Sequence, residues 1–171
     1  ITIGDVNEFA VTGPADTDAT VNAVNENAAN GTTVGITAAA SDADATTNTV
    51  TYSLADNAGG RFTIHGTTGV VTVLDGTMLD RETATSHNIT VRATSADGST
   101  ADTVFTITIG DVNEFAVGAV TDTNAAANTI AEDSTIGTAV GITAFASDAD
   151  ATTNTITYTL DNNAGGRFAI D

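Results

Sequence analysis

Carboxylates are the most numerous chemically active side chains of this chain, and they occur in short clusters. Asp and Glu number 22 of 171 residues, whereas Lys and Arg number four, which gives a formal net charge of −18. Carboxylates gathered without basic partners repel one another, but Ca²⁺ takes 6–8 oxygen ligands. The chemistry that these residues could perform is therefore binding of a hard cation. The pairs are Asp5 and Glu8, Asp42 and Asp44, Asp80 and Glu82, Asp111 and Glu114, and Asp148 and Asp150, with single acids at Glu26, Asp97 and Glu132.

Any one of these clusters is explained equally well by a solvated turn, since Asp and Asn favour turns. What favours a cation site is their recurrence at the ends of predicted strands, several times within one repeat. Paired carboxylates also occur in glycosidases, but an enzyme rarely duplicates a half-built site at every domain boundary. No catalytic residue is predicted.

Composition excludes several other functions. The chain has no Cys, so it has neither disulfides nor thiolate sites. His65 and His87 have no second ligand at zinc-site spacing. The scarcity of basic residues excludes a phosphate-binding surface for nucleic acid. No apolar run reaches the roughly 20 residues of a membrane span, so direct membrane insertion is not expected.

The chain repeats its own sequence. Ile1–Val11 recurs letter for letter at Ile107–Val117, an offset of 106 residues, and 43 of the 65 overlapping positions are identical. An alternating segment precedes the recurring GDVNEF, so we place repeat boundaries after Phe9 and Phe115. Residues 1–9 are then the last strand and linker of a preceding repeat. Residues 10–115 form a complete domain, and 116–171 form the first half of a second.

Alternation of β-branched and small polar residues predicts an all-β chain. Seven short strands in about 100 residues indicate an antiparallel β-sandwich with one solvated face. They lie near Thr20–Val24, Thr33–Ala40, Thr49–Leu54, Arg61–Ile64, Val70–Leu74, Asn88–Thr94 and Thr103–Ile109.

The second copy has only four of these seven strands. We expect its apolar residues to lack an opposing layer unless a longer chain or a neighbouring molecule completes the sandwich. The residues concerned are Ile142, Ile156, Tyr158 and Phe168.

Five ordered elements of the repeat resemble those of cadherin repeats, and the resemblance is to the bacterial, cadherin-like kind. Leu79-Asp80-Arg81-Glu82 matches the family's LDRE, and Asp42-Ala43-Asp44 with Asn48 resembles its DAD element. Asp97-Gly98 resembles its DGG segment. The two remaining elements are Asn25-Glu26-Asn27 with Gly31-Thr32, which resembles PEN…GT, and Asp111-Val112-Asn113-Glu114-Phe115, which resembles the linker DxNDN.

The resemblance implies tandem seven-stranded Greek-key sandwiches with Ca²⁺ as the cofactor at domain junctions. Carried over position by position, it implies three ions at the mid-chain junction and a partial set at the amino end. The mid-chain ligands would be Glu26, Asp80, Glu82, Asp111, Val112, Asn113, Glu114, Phe115, Asp148, Asp150 and Asn154. The amino-end ligands would be Asp5, Asn7, Glu8, Phe9, Asp42, Asp44, Asn48 and Asp97, with Val112, Phe9, Phe115, Asn48 and Asn154 acting through carbonyls.

The function that follows from the resemblance is structural. Calcium would stiffen an extender array in a secreted bacterial adhesin at the cell surface, with neighbouring repeats as partners. Lack of Lys and Cys and the near-identical repeats resemble such arrays. The alternative is a Ca²⁺-dependent polysaccharide-binding module, with glycans or other cell-surface molecules as partners. It is weakened by the absence of Trp and by inward positions for Tyr52 and Tyr158.

Overall fold

The structure is a computed structural model that describes residues 1–4 and 6–171. The chain divides into two compact units, residues 1–112 and 113–171, and each is described by itself. Asp5, one of the predicted metal ligands, lies outside the described residues.

Residues 1–112 form two four-stranded sheets. One has the order β1-β3-β6-β5 and the other β2-β8-β7-β4. A 3-10 turn at Gly76–Met78 follows β6. The strands are β1 (Ala15–Asp16), β2 (Ala23–Asn25), β3 (Thr33–Ala39), β4 (Val50–Asp56), β5 (Phe62–Ile64), β6 (Val70–Val73), β7 (Ser86–Ser95) and β8 (Thr100–Gly110).

The predicted alternation forms the core between the two sheets. Along β3, every second residue is buried, because successive side chains of a strand point to opposite faces. The same period continues on β6, the neighbour of β3 in its sheet, and β7 of the other sheet supplies the opposing layer. The all-β sandwich predicted from the sequence is confirmed. Its core includes Val34, Ile36, Phe62, Val71, Val73, Leu79, Ile89, Val91, Ile107 and Ile109, each at most 1% exposed.

The first predicted strand differs in the structure. In place of one strand near Thr20–Val24, β1 pairs with β3 in one sheet and β2 pairs with β8 in the other, and the second pairing is parallel. The crossover between the sheets runs close to β3, where a Cβ on Gly35 would lie 2.4 Å from the Val21 carbonyl oxygen. Gly35 has φ +77°, a conformation that glycine adopts without strain. The predicted antiparallel pairing therefore holds for the other ladders of the described residues, but the β2–β8 ladder is parallel.

Residues 113–171 contain a single short ladder, formed by β9 (Thr121–Asp122) and β10 (Ala144–Phe145). These strands are the 106-residue counterparts of β1 and the end of β3. Residues 146–171, which include the counterparts of β4 and β5, contain no strand. The expected exposure of apolar side chains is found at Ile142 and Phe168, which are 57% and 42% exposed, whereas Ile156 and Tyr158 are half-buried.

Two further observations concern predicted features. Residues 1–4 and 6–9, where the sequence predicted the last strand of a preceding repeat, contain no strand. Among the described residues, no helix has the length and apolarity that crossing a membrane requires.

Candidate metal centre

One acidic cluster lies entirely within residues 1–112. Carboxylate oxygens of Asp42, Asp44 and Asp97 lie within 4.8 Å of one another. Asp42 and Asp44 follow the end of β3, and Asp97 lies in the turn between β7 and β8. The family resemblance implied one site for these three residues, and the fold brings them together because the end of β3 and the β7–β8 turn meet at one end of the sandwich.

Asp44 is the buried member of this cluster, with only 3% of its surface exposed. Its Oδ1 accepts hydrogen bonds from the backbone amides of Glu8 and Phe9, at 3.1 and 3.4 Å. Its Oδ2 is buried and has no hydrogen-bond donor. A buried carboxylate oxygen without a donor or a cation is costly. The amides thus orient the side chain so that its second oxygen is free to bind a cation.

The two carboxylate oxygens of Asp42 also differ in their contacts. Its Oδ1 accepts a hydrogen bond from the backbone amide of Asp44 at 3.1 Å, and its buried Oδ2 has no donor. Asp97 accepts from the Ser99 backbone amide at 2.7 Å. That bond, aided by the Asn7 side chain, lowers the pKa of Asp97 below its ordinary value, so that this carboxyl stays ionised. The cluster offers anionic oxygens of the kind that Ca²⁺ binds.

Asn48 and Phe9 were predicted to act through their carbonyls. The Asn48 side-chain amide donates to the Asp44 carbonyl at 2.7 Å. This hydrogen bond links two positions of the loop that follows β3. Phe9 and Glu8 contact Asp44 through their amides, a contribution that the sequence motif does not reveal. Side chains of Asn7, Glu8 and Phe9 are exposed.

A second set of predicted ligands lies at the other end of the first sandwich. Glu26, at the end of β2, is 1% exposed, and its Oε1 accepts from the Val112 amide at 2.7 Å. Its Oε2 accepts a short hydrogen bond from the Arg81 amide. Carboxylate oxygens of Glu26 and Glu82 lie within 4.8 Å of each other. Glu26 is thus fixed by both the 80–82 loop and the segment that follows β8.

Asp80 and Arg81 complete this end. Thr83 donates from its hydroxyl and its backbone amide to Asp80, which lowers the pKa of that carboxyl. The Arg81 guanidinium donates to the carbonyls of Ile109 and Thr85, at 2.8 and 3.1 Å. Arg81 lies in the LDRE element, but the motif predicts no role for it. It is a positioning residue that ties the acidic loop to β8, whose end precedes Asp111.

Residues 113–171 carry their own copy of the Asp42–Asp44 arrangement. Asp150 is 1% exposed, and its Oδ1 accepts from the amides of Glu114 and Phe115, at 3.0 and 3.2 Å. Its Oδ2 is buried without a donor. The Asp150 amide in turn donates to Asp148 Oδ1 at 3.3 Å. The same orientation of a buried carboxylate thus arises twice in the chain.

The remaining predicted ligands of this copy are less constrained. The Asn113 side-chain amide donates to Thr153 Oγ1 at 3.1 Å, and Asn154 is exposed. Asp111 is half-buried, whereas Val112 is exposed.

Comparison with known proteins gives consistent results. The family model of the cadherin domain matches residues 20–110. Mouse Protocadherin Fat 2 is 33% identical over 132 residues, which is 76% of this chain but 3% of the relative, and the rat protein gives the same figures. The chain therefore spans only a small part of these curated relatives. Both are animal proteins and give no support to a bacterial source.

Solved structures agree on the fold. Mouse Cadherin-23 EC22-24 superposes with a TM-score of 0.69 at 27% identity, covering 98% of this chain and 53% of that one. The human Desmocollin-1 ectodomain gives 0.64 at 24% identity, covering 97% and 32%. Protocadherin Gamma B7 extracellular cadherin domains 1-4 give 0.61 at 26%, covering 85% and 34%.

Proposed function

Since the chain belongs to the cadherin domain family, we propose that it is a calcium-dependent structural segment of an extracellular protein. Cadherin domains are adhesion modules rather than enzymes, and they generally bind Ca²⁺. In this chain the ions would occupy the acidic loops at the repeat boundaries. Their role would be mechanical, because a bound ion fixes loops that otherwise repel one another.

The observation that supports this proposal is the pair of buried carboxylates at Asp44 and Asp150. Each accepts two backbone amides on one oxygen and leaves the other buried without a donor. A solvated turn, the competing interpretation, does not require burial to 3% and 1%. A cation on the second oxygen would satisfy it in both repeats.

Charge explains why removing calcium would matter. Asp42, Asp44 and Asp97 place three carboxylates within 4.8 Å of one another. The chain has four Arg and 22 acidic residues, so most carboxylates have no basic partner to offset their charge. At about 4 Å, a pair of like charges costs about 1 kcal/mol in water and more where solvent is excluded. Without the ions, the loops after β3 and between β7 and β8 would separate.

We carry over from the family resemblance that consecutive repeats share such ions. The mid-chain ligand set and the amino-end set given above would then hold successive repeats in a stiff array. We further propose the finer assignment to a bacterial adhesin extender, on the basis of the near-identical repeats and the absence of Lys and Cys.

The test is calcium titration of the whole chain, followed by calorimetry and by thermal unfolding with and without EDTA. Extracellular modules bind Ca²⁺ at about 10⁻⁴–10⁻³ M. A hundredfold excess over Kd would stabilise the folded state by about 2.7 kcal/mol. A melting temperature that EDTA leaves unchanged would contradict the proposal. Small-angle scattering with and without chelator tests stiffening separately.

Matched variants locate the ions. Asp44→Asn keeps the shape and the amide-accepting oxygen but removes the charge, so calcium stoichiometry should fall. Asp161→Asn is the control, because the first repeat has Ala55 at that position and needs no carboxylate there. Equal stoichiometry for the two variants would show that the assigned ligands are wrong.

The glycan-binding alternative has less support. Hydroxyls of Tyr52 and Tyr158 accept the backbone amides of Ala40 and Ala146, both at 2.9 Å. These rings therefore serve the fold rather than an exposed sugar platform. A glycan array in the presence of Ca²⁺ separates the two functions, since the structural proposal expects no binding.

A further inference from the structure

Ser95 is a buried polar residue that does not belong to the predicted ligand set. It is the last residue of β7 and is 3% exposed. Its hydroxyl donates to the Thr47 carbonyl at 3.0 Å. Thr47 lies in the loop between β3 and β4, whereas Ser95 adjoins the β7–β8 turn that carries Asp97. The hydroxyl therefore links the two loops whose carboxylates, from Asp42, Asp44 and Asp97, form one cluster.

Thr47 has an unusual backbone conformation. Its φ is +53°, in the left-handed region that β-branched residues rarely occupy. Such a conformation persists only where surrounding contacts hold it. The Thr47 hydroxyl donates to the adjacent Thr46 carbonyl at 2.7 Å, a contact within the loop itself. The Ser95 hydroxyl adds a contact from a strand of the sandwich, so it fixes Thr47 relative to the sheet.

The conformation of Thr47 bears on the acidic cluster because of its place in the loop. It directly precedes Asn48, whose carbonyl the family resemblance makes a ligand. The Asn48 side-chain amide donates to the Asp44 carbonyl at 2.7 Å. The chain is held again one residue later, where the Thr49 carbonyl accepts the Ala96 amide at 2.9 Å. A change of φ at Thr47 would therefore reorient Asp44 relative to Asn48.

Ser95 also contacts the turn that carries Asp97. The Gly98 amide donates to the Ser95 carbonyl at 2.9 Å, and the Ser95 amide donates to the Ser99 carbonyl at 3.0 Å. Hydrogen bonds from Ser99 make the largest contribution to the lowered pKa of Asp97, and the side chains of Asn7 and Ser95 add smaller ones. Ser95 thus contacts both acidic loops, one through its hydroxyl and the other through its backbone as well.

We propose that Ser95 is a positioning residue of this metal centre, whose hydroxyl holds Thr47 in the left-handed conformation. It thereby sets the position of the acidic loop after β3 against the β7–β8 turn. The inference rests on the proposed function, because its consequence is tighter calcium binding. A loop that is already ordered loses less conformational freedom when it binds an ion. Ser95 acts through the loop backbone and is not itself a ligand.

The first experiment measures the calcium affinity of the whole chain by titration calorimetry. Loss of a contact that orients metal ligands typically lowers affinity by about 10–100-fold. Ser95→Ala should therefore weaken binding at one site by about tenfold and leave the calcium stoichiometry unchanged. Ser86→Ala is the matched control, because Ser86 is exposed at the opposite end of β7. It should bind calcium like the parent.

A second substitution separates positioning from a general loss of stability. Asn adopts the left-handed conformation more readily than Thr, so the Thr47→Asn chain should not need support from Ser95. In that chain, Ser95→Ala should weaken calcium binding by about twofold or less, because the two residues act as one unit. A hydroxyl that only stabilises the fold would give the same loss of affinity with and without Thr47→Asn.

A third measurement needs no metal. The three-bond coupling between the amide and Cα hydrogens of Thr47 depends on φ and can be read by NMR in EDTA. It should change in the Ser95→Ala chain and stay at the parent value in the Ser86→Ala chain.

Three results would overturn this inference alone. They are parental calcium affinity of the Ser95→Ala chain, an equal loss of affinity with and without Thr47→Asn, and an unchanged Thr47 coupling in the Ser95→Ala chain. Failure of the parent chain to bind calcium is a distinct result. It would contradict the proposed function and, with it, any role of Ser95 in calcium affinity.

Discussion

Residues 1–65 and 107–171 are two copies of one sequence, identical at 43 of 65 positions, yet they have different structures. The first copy contributes five strands to a closed sandwich. The second contributes the end of β8 to that same sandwich, and its residues 113–171 form one ladder of two residues per strand. The alternation of β3 is kept at residues 139–145, whereas the counterpart of β2 differs at all three positions. Residues 66–112 pack against the first copy and supply β6, β7 and most of β8.

The features that both copies share lie within the first half of the repeat. Asp44 and Asp150 accept hydrogen bonds from equivalent pairs of amides, and the hydroxyls of Tyr52 and Tyr158 accept equivalent backbone amides. A Cβ on Gly141 would lie 2.5 Å from the Ala127 carbonyl, as Gly35 approaches Val21. These contacts need only residues of the first half of the repeat, whereas the sheets of the first sandwich also take strands from residues 66–112.

The largest expected difference concerns one core position in its two copies. Ile36→Ala removes a buried side chain and should lower the free energy of unfolding of residues 1–112 by about 2–5 kcal/mol. Ile142→Ala, at 57% exposure, should change the free energy of unfolding of residues 113–171 by about 0.5 kcal/mol or less. Urea unfolding followed by hydrogen exchange, read at β7 and β8 for the first variant and at residues 113–171 for the second, measures both. Equal costs would mean that the second copy has a core of its own.

A smaller effect is expected at Glu26 and its counterpart Glu132. Glu26→Ala leaves the Val112 and Arg81 amides without their carboxylate acceptor, and should cost about 3 kcal/mol. Glu132 is exposed, so Glu132→Ala should have almost no effect. Unfolding in EDTA separates this structural role from calcium binding. A Glu26→Ala chain as stable as the parent in EDTA would assign Glu26 to metal binding alone.

Loss of a tyrosine hydroxyl should lower the free energy of unfolding of residues 1–112 by about 1 kcal/mol in the first copy and not in the second. Tyr52→Phe removes the acceptor of the Ala40 amide, and the net value of such a hydrogen bond is about 1 kcal/mol. Tyr158→Phe removes the equivalent bond to Ala146 but should leave the unfolding of residues 1–112 unchanged. Thermal unfolding of the two variants makes the comparison, and a larger effect for Tyr158→Phe would reverse it.

The smallest effect is a pH dependence at exposed carboxyls. Arg92 hydrogen bonds lower the pKa of Asp102, and the Thr143 and Asn124 amides lower that of Asp122. Stability from such a group is present above its unfolded pKa of about 3.9 and is lost as the pH falls through its folded pKa.

Asp102→Asn should therefore reduce the acid sensitivity of unfolding of residues 1–112, whereas Asp122→Asn should not. NMR titration should nevertheless find both pKa values below the ordinary range. An ordinary pKa for Asp122 would show that even the β9–β10 ladder is not formed in solution.

The sequence by itself determined the repeat, the strand pattern and the clustering of acids. Alternation in β3, β6 and β7 is sufficient to assign core faces, because the period of a strand is fixed by its backbone geometry. The resemblance of the DAD and DGG elements to those of cadherin repeats implied one site for Asp42, Asp44 and Asp97. Their loops also carry the Asx hydrogen bonds that Asp favours in turns.

Only the tertiary structure decided which strands pair and which ligand oxygens lack donors. The split of the first strand into β1 and β2, and the parallel pairing of β2 with β8, join residues 85 positions apart, and no local pattern specifies that choice. The amides that orient Asp44 lie 35 and 36 residues away in the chain. The physical reason is that β-propensity reports packing against neighbouring strands, and those neighbours come from distant sequence.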